Sequence, residues 1–476
     1  MVYCIYTVDR GKGIPAGDVK MKACVIGAGI AGLASASLLL REGYDVDVYE
    51  SEEILGGRAL TVDKKMPYRE YLRLLKRFDM YVPFAEPSLE EIFGGLIDGY
   101  RMDLGFHLIG GGENASPLRI LSSLGVEQGV VGSRIGFIGE EVRYPYLSAT
   151  DKLKMLPRIL QLLFSRKETI KALESVSMEE TIKKYGRGKM KLTLELFPRL
   201  ITTVNDLGRI STGETFWAQR ELMGPHPVSY PVNGLNSIAG KFASWIENNG
   251  GKIIHQRVNK VIMEDGKATG ISAGEDKEYD VVVSSLPVQD TFSIADEGSF
   301  PHEWTEKMKK LEGTGSVCAY YALNELDENL VGKAFVFIER DAGVEGNDAV
   351  GMIDFKMASP ESGMSPPGRY LVQAYVICTP EEARDRKKAE TLRGILDRYM
   401  GRVVPEYRKK MEWCIYPSIW HLDGVAKTID NEKPAVATPV KNFFIVGDST
   451  NAKGVGINCA ADSANLLMDE LGKNSL

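Results

Sequence analysis

Residues 23–58 decide the fold of this 476-residue chain and read ACVIGAGIAGLASASLLLREGYDVDVYESEEILGGR. The run opens with apolar residues that fit a short, buried parallel strand. Three glycines follow in the G-x-G-x-x-G spacing, at Gly27, Gly29 and Gly32. A segment of helical length, rich in alanine and leucine, then stops before Gly43, because glycine commonly ends helices. A second strand ends at Glu50, so the stretch predicts strand, tight turn, helix and strand.

This order of elements is typical of a half-site that binds a dinucleotide. Gly27 allows the tight turn, Gly29 lets the backbone approach a pyrophosphate, and Gly32 lets the helix pack closely on the strand. The free N–H groups and the dipole at the helix start favour the diphosphate. Glu50 lies 18 residues after Gly32, where an acidic side chain accepts hydrogen bonds from a ribose. The predicted cofactor-binding residues at this end are Gly27, Ala28, Gly29, Ile30, Ala31, Gly32, Glu50 and Ser51.

The composition, 44% hydrophobic and 26% charged, is that of a soluble globular protein, and the length predicts two domains. No apolar run approaches the roughly 20 residues of a membrane span. A net charge of -7 argues against a nucleic-acid-binding protein. The six cysteines and five histidines are scattered without metal-ligand spacing. This predicts no metal site and reduced thiols in a cytoplasmic protein.

The glycine pair and arginine that end the opening stretch indicate which dinucleotide binds. With Gly56, Gly57 and Arg58, the stretch resembles the start of the FAD-dependent superfamily of amine oxidases, protoporphyrinogen oxidases and phytoene desaturases. The resemblance implies that Gly57 passes beside the cofactor and that Arg58 lies near its phosphates and ribityl chain. We therefore expect FAD, held without a covalent bond because Cys459 falls within the last helix, past the loop that would face the flavin.

A second signature lies near the end of the chain, about 400 residues from the first. An apolar strand over 442–446 leads into Gly447 and Asp448, and a glycine turn over 454–456 opens a helix. In the superfamily that this resembles, the aspartate accepts from a ribityl hydroxyl and the helix start faces the flavin ring. The residues predicted to bind FAD here are Gly447, Asp448, Val455, Gly456 and Ile457, with Val258 contacting the adenine by the same resemblance.

The resemblance also implies the domain organisation. We expect an α/β fold with a Rossmann-like FAD-binding domain of the GR2 type. An interleaved α+β substrate domain should contain a mixed or antiparallel sheet and a helical subregion. The predicted FAD domain comprises 21–112, 225–290 and 440–472, and the predicted substrate domain comprises 113–224 and 291–439. Residues 1–20 are interpreted as an N-terminal extension.

Candidate substrate-pocket residues come from two places. Residues 103–112 resemble the Asp-x-Gly-x-His segment of plant-type phytoene desaturases, which makes His107 either a functional side chain or a satisfied core histidine. For an amine substrate, an aromatic cage is expected, and Tyr320, Tyr416 and Trp420 are its candidates. Amine oxidases commonly carry a lysine facing the flavin where this chain has Val317, Cys318 and Ala319, so amine chemistry is disfavoured. We assign no catalytic residue and no general base.

Residues 151–200 hold twelve Lys or Arg and six Asp or Glu, an excess of six positive charges. Leu153, Leu156, Leu160 and Leu163 recur at helical spacing, with Lys152, Lys154, Arg158, Arg166 and Lys167 around them. Pro157 predicts a division into two short helices. A basic amphipathic stretch is typical of peripheral membrane contact, and the alternative is a solvated helical face.

Three functions remain open at this point. The first is an FAD-dependent oxidoreductase acting on CH–CH bonds of an apolar, isoprenoid- or carotenoid-like substrate, together with an electron acceptor that no motif names. The second is an oxidase of the protoporphyrinogen or amine type. The third is a non-enzymatic prenyl-binding protein of the GDP-dissociation-inhibitor type, which the intact C-terminal signature disfavours.

Overall fold

The computed structural model describes residues 20–222 and 226–474; the predicted extension therefore lies outside the described residues, apart from Lys20. The strands are β1 Lys22–Ile26, β2 Asp45–Glu50, β3 Thr61–Asp63, β4 Met80–Glu86, β5 Arg101–Asp103, β6 Ile109–Gly110, β7 Val130–Ser133, β8 Ile135–Ile138, β9 Val142–Arg143, β10 Val228–Pro231, β11 Lys252–His255, β12 Lys260–Glu264, β13 Lys267–Ala273, β14 Glu275–Glu278, β15 Val281–Ser284, β16 Gly315–Leu323, β17 Ala334–Glu339, β18 Ala349–Asp354, β19 Tyr370–Cys378, β20 Met411–Ile419 and β21 Phe443–Ile445. The helices are α1 Ile30–Arg41, α2 Tyr68–Arg77, α3 Leu89–Glu91, α4 Ser116–Ser123, α5 Ala149–Phe164, α6 Lys167–Lys171, α7 Met178–Tyr185, α8 Gly188–Thr202, α9 Thr212–Leu222, α10 Asn236–Asn248, α11 His302–Lys309, α12 Pro380–Arg384, α13 Arg386–Val403, α14 Tyr407–Lys410 and α15 Ile457–Asn474.

The first sheet is a five-stranded parallel sheet in the order β11-β2-β1-β15-β21. Its strands come from three separate parts of the chain: β1 with β2, β11 with β15, and β21. Because β1 and β21 belong to the same sheet, the N-terminal and C-terminal signatures are brought together. Helix α1 is buried along ten consecutive residues because it packs against α10 and α15 as well as the sheet. A helix buried all round needs small or apolar side chains, which explains its alanine- and serine-rich sequence.

The second sheet has eight strands in the order β4-β20-β16-β19-β18-β17-β8-β9. All neighbours are antiparallel except β17 and β8, so the sheet is mixed. Its central strand β16 is buried at all nine residues. One face packs against α2 and other side chains of residues 60–106, and the other face packs on α13. The predicted fold class, a Rossmann-like domain with an interleaved substrate domain, is confirmed.

Two segments cross the predicted domain boundaries. Strand β4, which was assigned to the FAD domain, pairs with β20 at the edge of the mixed sheet. Helix α4, which was assigned to the substrate domain, packs in the core of the parallel-sheet domain through Leu118 and Leu121. Only residues 78–79 separate β4 from α2, and only residues 111–115 separate α4 from β6, so local sequence carries no sign of such a crossing.

Helices α5 to α9 form the predicted helical subregion beside the mixed sheet. Helix α5 continues through Pro157, so the predicted division into two helices is wrong. Proline removes one backbone hydrogen bond, and the freed carbonyl belongs to Leu153, which is 69% exposed and open to water. Within the described ranges, no helix is both long enough and apolar enough to cross a bilayer.

Candidate cofactor and substrate site

The glycine turn after β1 has the geometry that its spacing predicts. Gly27 has a φ of +97°, which favours glycine, and its N–H donates to the Tyr49 carbonyl at 2.7 Å. A Cβ at Gly32 would lie 2.0 Å from the Gly27 carbonyl oxygen. Helix α1 could therefore not pack this closely on β1 if any residue larger than glycine stood at position 32. A Cβ at Gly29 would meet no atom within 4 Å. Gly29 therefore leaves open space for a ligand, whereas Gly32 serves packing.

Glu50 is 9% exposed and lies beside this turn. One carboxylate oxygen accepts the Ala28 N–H at 2.7 Å, and the other accepts the Glu52 N–H at 2.9 Å and the Ser51 hydroxyl at 3.3 Å. The carboxylate is thus fixed at the end of β2, in the position that a ribose acceptor requires. It also holds the glycine turn in place.

Gly56 and Gly57 run past the same turn. The Gly56 N–H donates to the Ala28 carbonyl at 2.9 Å, and Gly57 approaches Gly29 so closely that a Cβ would lie 3.4 Å from its Cα. Both glycines have positive φ, +119° and +59°. The glycine turn after β1 and the pair Gly56 and Gly57 therefore form one continuous surface, the N-terminal glycine surface.

Arg58 joins this surface to the C-terminal signature. Its guanidinium donates to both carboxylate oxygens of Asp448 at 2.7 Å and to the His421 carbonyl at 2.7 Å. The Gly424 N–H donates to the same carboxylate at 2.9 Å. Burial acts to raise the pKa of Asp448, but Arg58, Lys433 and these hydrogen bonds outweigh it, and the pKa is lowered. Asp448 is therefore an anion when the protein is folded.

Sequence reasoning missed a second buried ion pair directly behind Asp448. Lys433 donates to Asp423 at 3.1 Å and to the Asp448 carbonyl at 2.5 Å. The other Asp423 oxygen accepts the Gly456 N–H at 3.2 Å, which ties the pair to the start of α15. Both residues lie in an irregular segment between β20 and β21, where no motif marks them.

These elements enclose a cavity of about 430 Å³. Of the predicted cofactor-binding residues, it is lined by Gly27, Gly29, Ile30, Ala31, Glu50, Ser51, Gly57, Arg58, Val258, Gly447, Asp448, Gly456 and Ile457. Ala28 and Gly32 are buried behind it, and Val455 lines the neighbouring cavity instead. The lining also includes Arg77, Ser285, Asp290 and His421, which the sequence did not indicate.

A second cavity, of about 590 Å³, lies between the mixed sheet and helices α5, α8 and α9. Its lining is mostly apolar and includes Phe106, Leu108, Ile135, Phe197, Leu200, Ile201, Val228 and Met352. Phe106 stacks on Tyr375, with ring centroids 4.1 Å apart. The two cavities share His107, Leu422, Gly456 and Ile457, so they meet at the start of α15.

His107 lies at this junction. Its Nδ1 is 2.9 Å from the Gly105 carbonyl, so the neutral ring donates from Nδ1 and keeps a lone pair on Nε2. Burial lowers the pKa of His107 to about 4. The side chain is hydrogen-bonded to its own loop, as a satisfied histidine would be, and it also lines both cavities; its functional role stays a prediction.

The three predicted aromatic residues do not line either cavity. Tyr320 is fully buried and donates to the Gly105 carbonyl at 2.8 Å. It therefore stabilises the loop that carries His107, the His107 loop. Tyr416 points to the opposite face of the mixed sheet, where it donates to Asp397 at 2.6 Å. Trp420 packs against Tyr81, with ring centroids 5.7 Å apart. Strands buried on both faces give no sequence sign of which face a side chain takes.

A buried ionic network supports the His107 loop from the other side. Lys356 and Asp354 pair at 2.5 Å and both side chains are 0% exposed. Gln373 donates to Asp354 at 3.4 Å and to the His107 carbonyl at 3.2 Å. Lys356 lines neither cavity. Burial lowers its pKa despite the neighbouring carboxylate.

The first cavity suits a dinucleotide on its own geometry. The open space at Gly29, the start of α1 and the Glu50 carboxylate match the diphosphate and ribose of such a cofactor. Arg58 and Asp448 line the same cavity. Over the described ranges, no group of His, Cys, Asp or Glu side chains could hold a metal ion. Fold and site therefore define a class of protein with the geometry of a dinucleotide site, in which a mostly apolar cavity meets the candidate cofactor cavity.

Comparison with known proteins narrows this class to a family. The family model described as flavin containing amine oxidoreductase matches residues 30–466. The chain belongs to that family, and the predictions of superfamily and of an FAD-type oxidoreductase are confirmed at this level. A flavin-containing family also agrees with the predicted cofactor.

Individual relatives match less of the chain. Prolycopene isomerase 2 of an Oncidium hybrid cultivar is 34% identical over 68 residues, which are 14% of this chain and 12% of that protein. Zeta-carotene desaturase of Capsicum annuum is 47% identical over 47 residues, 10% of this chain and 8% of that protein. The chain thus aligns with about a tenth of the length of these curated relatives. The fold itself resembles that of an oxidoreductase from Methanosarcina mazei, with a TM-score of 0.73 at 20% identity, covering 94% of this chain and 100% of that one.

Proposed function

We propose that this protein is an FAD-dependent oxidoreductase that forms or removes a carbon–carbon double bond in an apolar, isoprenoid-like molecule. The observation that carries the proposal is the contact between the two cavities. A mostly apolar space of about 590 Å³ meets the dinucleotide cavity at His107, Leu422, Gly456 and Ile457. A substrate in the second cavity would therefore lie against the end of a cofactor held in the first.

Each part of the cofactor cavity has a defined task in this proposal. Gly29 and the start of α1 receive the diphosphate, Glu50 accepts from the adenosine ribose, and Asp448 accepts from the ribityl chain. Bound FAD supplies hydride transfer, which is the chemistry that the reaction needs. The binding is non-covalent, because Cys459 is fully buried and its Sγ faces the backbone carbonyls of Asp448, Thr450 and Ala452.

The apolar cavity positions the substrate and excludes water. Phe106 and Tyr375 present a stacked aromatic pair next to His107. Such surfaces hold flat, unsaturated carbon chains by burial and ring contact. His107 stays neutral near pH 7, because its pKa is about 4, so it adds no charge beside a hydrocarbon.

An amine substrate is the second candidate, because the family is described as flavin containing amine oxidoreductase. The described lining of the apolar cavity contains no Asp or Glu to receive an ammonium group. Val317 and Ala319, where amine oxidases commonly carry a lysine, pack on the far face of the mixed sheet. These features favour the apolar substrate. A protoporphyrinogen-type substrate remains in the panel tested below.

The partner surface proposed for substrate delivery is an anionic membrane. Helix α5 exposes Leu153, Leu156, Leu160 and Phe164, and Phe164 is 81% exposed. Val142 and Tyr144 are exposed just before it. Lys152, Lys154 and Arg166 lie in the same segment and are also exposed. Met155 and Leu156 line the apolar cavity, so this face surrounds the cavity mouth.

The test is reduction of the bound flavin under anaerobic conditions with polyprenyl, porphyrinogen and amine compounds. The proposal expects bleaching of the flavin absorbance by a polyprenyl hydrocarbon and none by amines. A Leu200→Gln variant should slow this reduction while retaining its FAD, because Leu200 lines only the apolar cavity. Leu72→Gln, which changes an exposed leucine on α2 that lines neither cavity, is the matched control. Reduction by an amine alone would overturn the proposal.

A further inference from the structure

The apolar cavity carries two positive charges, and no Asp or Glu occurs among its described lining residues. Arg134 lies between β7 and β8, Lys152 lies in the second turn of α5, and both line the cavity. Both side chains are exposed, so they stand at the cavity mouth rather than in its interior. Neither has a carboxylate within 4.0 Å on the described part of the chain.

The acidic residues close to them in sequence form no ion pair with either basic side chain. Asp151, next to Lys152, accepts from Lys189 at 2.5 Å and from Ser148 at 2.7 Å. After β8, Glu141 pairs with Arg143 at 3.3 Å, and Glu140 is exposed with no basic side chain within 4.0 Å on the described part of the chain. The positive potential at the mouth is therefore not neutralised by an ion pair with these neighbours.

The other polar groups of the lining are mostly occupied within the protein. The Tyr146 hydroxyl bonds to Thr193 at 3.3 Å, and Thr203 donates to the Thr202 carbonyl at 2.7 Å. Asn458 donates to the Gly110 carbonyl at 2.9 Å and accepts the Ser116 N–H at 3.2 Å. A ligand with a polar end therefore finds its strongest available partners in the two basic side chains.

We propose that the molecule bound in this cavity carries an anionic end group, a carboxylate or a phosphate, which Arg134 and Lys152 hold at the mouth while its apolar chain extends toward His107. This deepens the proposed function, on which it rests for the position of the reacting carbons. A fixed anionic end sets how far the chain reaches, so it would select which carbon–carbon bond lies at the junction of the two cavities. An uncharged hydrocarbon lacks this anchor, so its position along the cavity would not be fixed.

The test measures binding rather than turnover. Dodecanoate, dodecyl phosphate and dodecanol, each below its micelle concentration, are titrated into the FAD-loaded protein in a calorimeter. At least one of the two anions should bind more tightly than the alcohol. Arg134→Gln and Lys152→Gln should each weaken binding of the preferred anion by about two- to fivefold, as expected for exposed ion pairs, and should leave the affinity for dodecanol unchanged. The preference between the two anions identifies the end group.

Lys387→Gln is the control, because Lys387 is an exposed lysine on α13 that lines neither cavity and lies outside the basic surface of α5. Equal affinity for the alcohol and both anions, or an equal loss in the Lys387 variant, would overturn the proposal. Because binding requires no reaction, a protein that binds anions but whose flavin no polyprenyl compound reduces would contradict the proposed function alone.

Discussion

The Arg58 guanidinium and the Asp448 carboxylate, 390 residues apart in sequence, form a two-oxygen ion pair at 2.7 Å. This contact joins the N-terminal glycine surface to the C-terminal signature and fixes the middle of the cofactor cavity. Charge-assisted pairs of this geometry are among the stronger hydrogen bonds in proteins. The cavity is therefore a product of both chain ends, and neither end forms it alone.

Gly29 and Gly32 are expected to respond differently to the same substitution. Gly29→Ala places a methyl group in open space, so the fold should be retained while FAD binding weakens at the diphosphate. Gly32→Ala places it 2.0 Å from the Gly27 carbonyl oxygen, so the free energy of unfolding should fall by about 1–3 kcal/mol. Thermal unfolding of the cofactor-free protein and FAD titration separate the two effects. Equal unfolding temperatures for the two variants would contradict this assignment.

Glu50→Ala and Asp448→Ala should each weaken FAD binding. Each removes a charged acceptor that is worth about 1.5–3 kcal/mol to a ligand hydroxyl, which corresponds to roughly ten- to hundredfold in affinity. Asp448→Ala should also lower stability, because it leaves Arg58 without its carboxylate. Fluorescence titration with FAD gives both affinities, and Glu53→Ala, an exposed neighbour, serves as control. Unchanged FAD affinity in both variants would refute the site.

His107 should make the stability of the protein depend on pH. The pKa of His107 is about 4 in the folded protein, whereas an unperturbed histidine has a pKa of 6.5. As pH falls, the unfolded chain therefore binds the extra proton before the folded protein does. Stability is therefore lost between about pH 6.5 and about pH 4, by up to about 1.4 kcal/mol per pH unit. Urea unfolding of His107→Gln should show a shallower decline than the parent over this window. His302→Gln, an exposed histidine, provides the comparison, and an equal decline in parent and His107 variant would contradict the burial of this ring.

The α5 face should bind anionic vesicles in a salt-dependent way. Each basic residue near such a surface contributes about 1 kcal/mol, and the attraction is screened over about 8–10 Å at physiological ionic strength. Changing Lys152, Lys154, Arg158, Arg166 and Lys167 to Gln should abolish co-sedimentation; the side chains of Arg158 and Lys167 lie outside the described residues. Changing Lys252, Lys387 and Lys409, which are exposed elsewhere, should have little effect. Equal sedimentation of parent and five-site variant would leave α5 as a solvated face.

The cofactor cavity could be predicted from sequence because its determinants are backbone constraints. Gly27 allows a tight turn, Gly29 leaves open space for a ligand, and Gly32 allows close packing of the helix on the strand. The spacing of these three glycines is visible in the sequence. The Asp423–Lys433 pair was missed because it lies in an irregular segment and acts through long-range contacts. A buried ion pair leaves no periodic trace in sequence.

The substrate cavity was harder to predict for a different reason. Tyr416 and Ile415 are adjacent on β20 and face opposite cores, yet both neighbourhoods are apolar, so alternation of polarity gives no direction. Phe106 and Tyr375 come from distant segments and meet only in the folded protein. The basic stretch that includes α5 stands out by its charge, but its place beside the cavity mouth required the tertiary structure.

Both chain ends together should bind one FAD, and the flavin content of the purified protein measures this binding. After incubation with FAD and removal of the excess, we expect a yellow protein with one FAD per chain, released into the supernatant by acid precipitation. Arg58→Ala should lose most of this flavin, because it breaks the Asp448 contact that joins the two signatures. A folded parent protein that stays colourless after reconstitution would contradict FAD binding and favour a non-enzymatic prenyl-binding protein.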